Sequence, residues 1–309
     1  MASIQAPVTV TPIVAAPAPI IKKTPRQAPF WVGGAAATCA AVVTHPLDTM
    51  KVRLQTSTTK ASLVRMVATI IKQEGLTALY AGLTASLLRQ ATYSTARFGV
   101  YDTLKPMLGT DEKGNSSFLA QLTAGVAGGF VGGIVGSPAD LTNVRMQNDG
   151  RLPPAERRNY KNAIDGLFRI AKDEGPLGLF RGIGPNVTRG VLMTASQVAT
   201  YDAIKQGLLA TPYFKENIVT HFTASTLAGL IATTVTSPID VIKTRVMSGK
   251  PGLYKSTADA FVKIVKNEGP MALFKGWVPA FARLGPHTIV TFIIYEKIKD
   301  LVFKFNPEK

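Results

Sequence analysis

Cysteine is nearly absent from this chain: Cys39 is the single one in 309 residues, so neither an internal disulfide nor a cysteine-based metal framework is available. Histidine is almost as scarce, and His45, His221 and His287 lie too far apart to make a metal-ligand spacing. Charged residues make up only 17% of the chain against 46% hydrophobic, and the 19 acids are outnumbered by 35 Lys and Arg. Few charges with a net of +16 argue against a disordered or ordinary cytosolic chain and fit a membrane protein facing anionic lipid, or a binder of anions. A nucleic-acid binder would gather its cations in runs or in one patch with aromatics; here they are dispersed at repeated positions. Also missing are a Ser-His-Asp order and a phosphate-cradling glycine loop, which leaves an enzyme with little support. "GGFVGGIVG" is rich in glycine, but it lies inside an apolar run where close helix packing accounts for it.

What is present is repetition. The motifs "HPLDTMKVRLQ", "SPADLTNVRMQ" and "SPIDVIKTRVM" place Pro46, Pro138 and Pro238 at the ends of three apolar runs. Each is followed by an acid-glycine pair (Glu74, Glu174, Glu268), then by an arginine (Arg89, Arg189, Arg283), then by an aromatic-acid-x-x-lysine starting at Tyr101, Tyr201 and Tyr295. From the glycine of "YAG", "FRG" or "FKG" to the arginine is seven residues in all three repeats, and from the arginine to the following acid is thirteen. Such self-similarity decides the fold before any local reading does. The repeats run over 27–110, 114–211 and 215–305, after a proline-rich, acid-free segment at 1–26 that reads as a flexible tail.

The first half of each repeat holds a stretch free of Asp, Glu, Lys and Arg, at 27–47, 114–139 and 217–239, long enough to cross a hydrocarbon layer of about 30 Å as a helix. The second half holds an apolar stretch interrupted by one arginine, as in "GIGPNVTRGVLMTASQVATY". Between them lies a short amphipathic piece such as "NAIDGLFRIAKDEG", suited to a membrane surface. The expected fold is therefore an all-α membrane protein: three pseudo-symmetric repeats, each with two spanning helices and one surface helix, six spans in total.

An arginine in mid-span is costly against lipid and should face the bundle interior. Three at one repeat phase converge at one depth and make a central anion site, since guanidinium pairs bidentately with carboxylate, phosphate or sulfate. Arg89, Tyr93 and Arg97 share one helix face; the fourth span offers Arg189, Gly190, Met193 and Gln197, the sixth Arg283, His287 and Thr291. No acid lies within the seven residues before any of the three arginines, so the expectation is that they are free for a ligand. Behind the prolines stand Asp48 with Lys51, Asp140 with Asn143, and Asp240 with Lys243. If the three helix ends meet, acid of one repeat can pair with cation of the next and close that side; Asp102/Lys105, Asp202/Lys205 and Glu296/Lys299 can do the same at the other side.

These motifs resemble the mitochondrial carrier family, whose signature P-x-[D/E]-x-x-[K/R]-x-[K/R] with a downstream acid-glycine and aromatic-[K/R]-glycine is matched from about Phe30 to Phe303. The resemblance implies a three-fold pseudosymmetric six-helix bundle in the mitochondrial inner membrane, working as a monomer and alternating between states open to either side. It carries substrate contact to Arg89, to Arg189 with Gly190, and to Arg283. Matrix-side pairs fall on Asp48 with Asn143, Asp140 with Lys243 and Asp240 with Lys51, braced by Gln55 and Gln147. Cytosolic-side pairs fall on Asp102 with Lys205, Asp202 with Lys299 and Glu296 with Lys105, beside Tyr101, Tyr201 and Tyr295. Helix N-termini at Gly82, Gly182 and Gly276 resemble cardiolipin-binding positions, because free backbone N–H groups suit a phosphate. No metal and no other cofactor is implied. Asn143 departs from the pattern by replacing a cation, Met247 by replacing the third brace, and Ala81 by lacking the cation of "FRG" and "FKG"; two matrix ion pairs are expected instead of three. "LLRQATYSTARFGVYD" and "RLGPHTIVTFIIYE" resemble the dicarboxylate-exchanging branch, next to oxoglutarate carriers and uncoupling proteins, which implies exchange of malate, succinate or malonate for phosphate, sulfate or thiosulfate.

Overall fold

Proline does not end the first helix of a repeat; the helix runs on for ten or eleven residues beyond Pro46, Pro138 and Pro238 and carries the following charges with it. The computed structural model describes residues 30–57, 63–108, 117–249 and 252–305. The tail at 1–26 lies outside these residues. Among the described residues there is no strand, and nine α-helices follow in order. Six are long: α1 (Phe30–Thr56), α3 (Leu83–Met107), α4 (Phe118–Asp149), α6 (Ile183–Leu209), α7 (Ile218–Ser248) and α9 (Trp277–Phe305). Three are short: α2 (Leu63–Glu74), α5 (Ala163–Asp173) and α8 (Thr257–Glu268).

Local chemistry sets the boundaries. Ser117, Asn162, Asn217 and Ser256 cap α4, α5, α7 and α8 by accepting a hydrogen bond from a backbone N–H three residues on. At the start of α3, α6 and α9 the chain turns through left-handed glycines: Gly82, Gly182 and Gly276 have φ of 80°, 81° and 83°. Space as well as backbone demands glycine there. A Cβ at Gly82 would stand 3.1 Å from Met146 of α4, at Gly182 2.8 Å from Met247 of α7, and at Gly276 2.8 Å from Gln55 of α1. Each repeat thus presses its second long helix onto the first long helix of the next, and the third presses onto the first.

The long helices close a ring: α1 packs on α3, α3 on α4, α4 on α6, α6 on α7, α7 on α9, and α9 on α1. Helix α4 passes between two neighbours on two glycine faces. Gly128, Gly132 and Gly136 meet Arg97 and Tyr93 of α3, while Gly129 and Gly133 meet Gly190 and Val187 of α6. Where backbone meets backbone across α4 and α6, a Cβ on Gly129 would be 2.9 Å from the Gly190 carbonyl oxygen. Gly129→Val therefore forces α4 and α6 apart; the expected cost is roughly 1–3 kcal/mol or more, read as a lowered melting temperature of the purified protein.

The distribution of side chains is inverted relative to a soluble bundle. Fully buried positions include Thr44, His45, Arg53, Arg145 and Gln147, whereas Val43, Phe98, Phe222, Ile289 and Phe292 are more than half exposed. Two of the helices, α4 and α7, are long and apolar enough by length and composition alone to cross a membrane.

Candidate functional site

The charges of the proline motifs and the mid-helix arginines come together in one place. A cavity of about 80 Å³ on the bundle axis is lined by Arg89, Arg189, Arg283, Asp48, Asp140 and Asp240, with the two gate lysines beside them. Helix α3 brings Arg89, α6 brings Arg189 and α9 brings Arg283; α1, α4 and α7 bring one acid each.

The arginines are not free of acids. Arg283 Nη1 donates to Asp48 Oδ2 at 3.0 Å, Arg189 Nε donates to Asp240, and Arg89 Nε stands 3.9 Å from Asp140. This corrects the expectation drawn from the acid-free residues before each arginine. The acid comes from the next repeat in the cycle, a neighbour in space that is remote in sequence. The same acids bind the gate lysines: Lys51 Nζ donates to Asp240 Oδ2 at 2.6 Å, and Lys243 pairs with Asp140. Asp140 and Asp240 are each shared by a lysine and an arginine. Among the described residues Asp48 has an arginine alone, because Asn143, in the lysine position, supplies no charge; the Asn143 Oδ1 is buried without a hydrogen-bond partner. The two ion pairs expected from sequence are present, and the third acid is taken by Arg283 instead of being left over.

Beneath this layer lies a second that sequence reading did not single out. Arg53, Arg145 and Arg245, at most 7% exposed, each form a two-pronged bond with the acid of an acid-glycine pair. Arg53 reaches Glu74 at 2.5 and 2.7 Å, Arg145 reaches Glu174 at 2.5 and 2.9 Å, and Arg245 binds both oxygens of Glu268. Each Nε donates to a helix-end carbonyl of the next repeat: Arg53 to Gln147 O at 2.9 Å, Arg145 to Met247 O at 3.2 Å and Arg245 to Gln55 O at 2.7 Å. The ring closes on itself. The signal was available, since a second cation follows two residues after Lys51, Asn143 and Lys243 in all three motifs.

Other assignments shift. The brace positions Gln55 and Gln147 contribute their backbone carbonyls to this ring; Gln55 Oε1 and both side-chain polar atoms of Gln147 are buried without partners. Gly190 is buried against the backbone of Gly129 and serves helix packing, not the cavity. Tyr93 and Arg97 lie over the α4 glycines, one and two turns beyond Arg89. On α9, one turn beyond Arg283, His287 Nδ1 is 3.3 Å from Thr44 Oγ1.

At the opposite end none of the three interhelical pairs is made. Lys205 bonds Glu216 at 2.9 Å, Lys299 stands 3.7 Å from Glu296 of its own helix, and Lys105 lies over the Tyr101 ring. Tyr201 bonds His221 at 2.6 Å. Asp102 and Asp202 have no ion pair among the described residues. One end of the axis is thus tied in two layers, and the other is untied.

The glycines at the helix starts sit at the tied end. A cavity of about 650 Å³ adjoins Gly82 and takes Arg157 and Lys161 into its wall from the α4–α5 loop. The cations of "FRG" and "FKG" are engaged elsewhere: Lys275 with Glu268 at 2.6 Å and Arg181 near Glu174 at 4.0 Å.

Comparison with known proteins agrees with this three-fold plan. The chain matches the family described as mitochondrial carrier protein over residues 22–112, 114–211 and 214–306. It is 51% identical over 277 residues to a mitochondrial citrate transporter F of Aspergillus niger, covering 88% of this chain and 89% of the relative. Against a mitochondrial dicarboxylate transporter of Saccharomyces cerevisiae the identity is 49% over 275 residues, 88% of this chain and 91% of the relative. A mitochondrial dicarboxylate carrier of Caenorhabditis elegans is 46% identical over 286 residues, 92% of this chain and 97% of the relative.

Proposed function

Because the chain belongs to the mitochondrial carrier protein family, we propose that it is a multi-pass protein of the mitochondrial inner membrane that exchanges small dicarboxylates for inorganic anions. The substrates are malate, succinate or malonate on one side and phosphate, sulfate or thiosulfate on the other. Six long helices cross the bilayer, with their apolar residues outward and their charges on the axis. Exposed Ile164 and Phe168 on α5 suit a helix lying in the headgroup boundary on the matrix side. The ring is completed within one chain, which supports a working monomer.

One observation carries the reading: three guanidinium groups surround one axial cavity, and each is held by a gate acid. A di-anion entering from the untied end competes with Asp48, Asp140 and Asp240 for the same donors. As it takes Arg89, Arg189 and Arg283, each acid loses a partner. Asp140 and Asp240 keep a lysine, and Asp48 faces neutral Asn143. Binding energy is thereby spent on loosening the matrix side, and Tyr101-Asp102, Tyr201-Asp202 and Tyr295-Glu296 with Lys105, Lys205 and Lys299 close behind the substrate. An empty site keeps its arginines on the gate, which favours exchange over one-way leak.

The lipid reading is cardiolipin at Gly82, Gly182 and Gly276, each at a helix start whose backbone N–H groups donate to a phosphate. At Gly82, Arg157 and Lys161 supply the charge that Ala81 lacks.

Purified protein in liposomes tests the function. Labelled malate enters only when phosphate or malate is inside. Uptake without counter-substrate, or proton flux without malate, rejects exchange in favour of an uncoupler-like leak. Citrate and 2-oxoglutarate as internal anions decide between the dicarboxylate reading and the preferences that the relatives' names suggest.

A further inference from the structure

The α1–α4 seam is the one whose gate lacks an ion pair, and it carries a hydrogen-bonded cluster of its own. Ten residues beyond the prolines stand Thr56, Asn148 and Ser248, one in each repeat. Only at this seam do two of them meet: the Thr56 hydroxyl donates to Asn148 Oδ1 at 2.6 Å, and Asn148 is 6% exposed. The same hydroxyl accepts from Arg151 Nη1 at 2.7 Å, and that nitrogen also reaches the Arg53 carbonyl oxygen, at the end of α1, at 3.1 Å. Arg151 begins the α4–α5 loop. Thirteen residues separate it from Pro138, and the corresponding positions of the other repeats are Thr59 and Pro251, neither a cation.

We propose that Arg151, with Thr56 and Asn148, is a third matrix-side lock, holding the α1–α4 seam that Asp48 and Asn143 cannot hold by charge. It lies roughly one and a half turns beyond Asn143 on α4 and just over two turns beyond Asp48 on α1. Its chemistry differs from that of the lysine gates. A charged donor meets neutral acceptors, and Arg151 is exposed on the matrix face, so the bond is modest and breaks readily. Opening toward the matrix separates α1 from α4 and must release it. Arg151 is thus a positioning residue for the exchange cycle, acting through the end of α1 and touching no substrate.

The idea rests on the alternating-access reading, and a double-mutant cycle on the purified full chain tests it separately. Arg151→Gln lowers the melting temperature by roughly 2–4 °C, the shift expected for one lost charged hydrogen bond. Thr56→Val, which removes the hydroxyl from the α1 side, does the same should Arg151→Gln fold poorly. Asn143→Lys, which supplies the missing gate cation to Asp48, raises the melting temperature more in the Arg151→Gln background than in the parent. In liposomes Asn143→Lys alone slows malate exchange, and Arg151→Gln speeds it. Equal gains from Asn143→Lys in both backgrounds, or no change for both Arg151→Gln and Thr56→Val, overturn the lock. Absence of exchange in the parent would reject the transport reading while leaving the melting comparison decisive for the lock.

Discussion

On the proposed exchange, replacing Arg283 by Leu lowers malate transport by on the order of a hundredfold or more, and it also destabilises the tied end of the bundle. Both effects come from one pair. Arg283 is the only charged partner of Asp48 among the described residues, because the lysine position facing that acid is Asn143. Removing the guanidinium takes a cation from the axial cavity and strands a half-buried carboxylate. Arg189→Leu removes a site cation of the same kind, but Asp240 keeps Lys51 at 2.6 Å. The melting temperature should therefore fall further for Arg283→Leu than for Arg189→Leu, while exchange is lost in both. Combining Arg283→Leu with Asp48→Asn separates the two roles: stability returns, exchange does not. Malate exchange retained in Arg283→Leu would remove this arginine from the site, and equal melting temperatures for the two Leu variants would remove the asymmetry of the gate.

Repeat spacing makes the helices, the ring order of acids and cations, and the departure at Asn143 legible in the amino-acid sequence, because each is a matter of position modulo the repeat. Contacts between repeats are legible there only where a charge has an obvious opposite. Lys51 with Asp240 and Lys243 with Asp140 are pairs that the family resemblance implies; sign alone permits them but permits Asp48 with Lys51 on one helix as well. The arginines look acid-free along the chain and are not, for a geometric reason. Helices of neighbouring repeats cross near the axis, so an acid fifty or more residues away, such as Asp240 for Arg189, is nearer than any in the local sequence. Gly190 is misplaced by sequence because a glycine leaves no mark of which side its backbone faces. Only the packing of α4 on α6 puts it against Gly129. The ring arginines Arg53, Arg145 and Arg245 are marked by the last cation of the motif, but their full set of partners is not. Part of their bonding ends on backbone carbonyls, which every residue has and no pattern distinguishes.

That ring predicts the largest stability loss in the molecule. Arg145 is fully buried and makes three bonds, two to Glu174 and one to the carbonyl oxygen of Met247. Arg145→Leu fills much of the space with apolar atoms, but it leaves the Glu174 carboxylate without its main cation and cuts the tie from α4 to α7. Breaking such a pair from one side costs about 3–5 kcal/mol, or a fall of roughly 10 °C in melting temperature. Glu174→Leu added to Arg145→Leu should recover part of it, since an apolar pair strands no charge. Acid provides an independent check. Burial pushes the Glu174 carboxyl up, but the bonds and charge of Arg145, with Arg181 and Arg158 nearby, outweigh it and hold the group below its ordinary value of 4.5. A carboxylate held low in the folded state stabilises it above that ordinary value, and the contribution disappears as pH falls through the lower folded value. The parent should lose melting temperature on acidification below 4.5, and Arg145→Leu should lose less over the same range. Identical acid slopes for the two proteins would mean that the pair contributes nothing to holding the matrix side together.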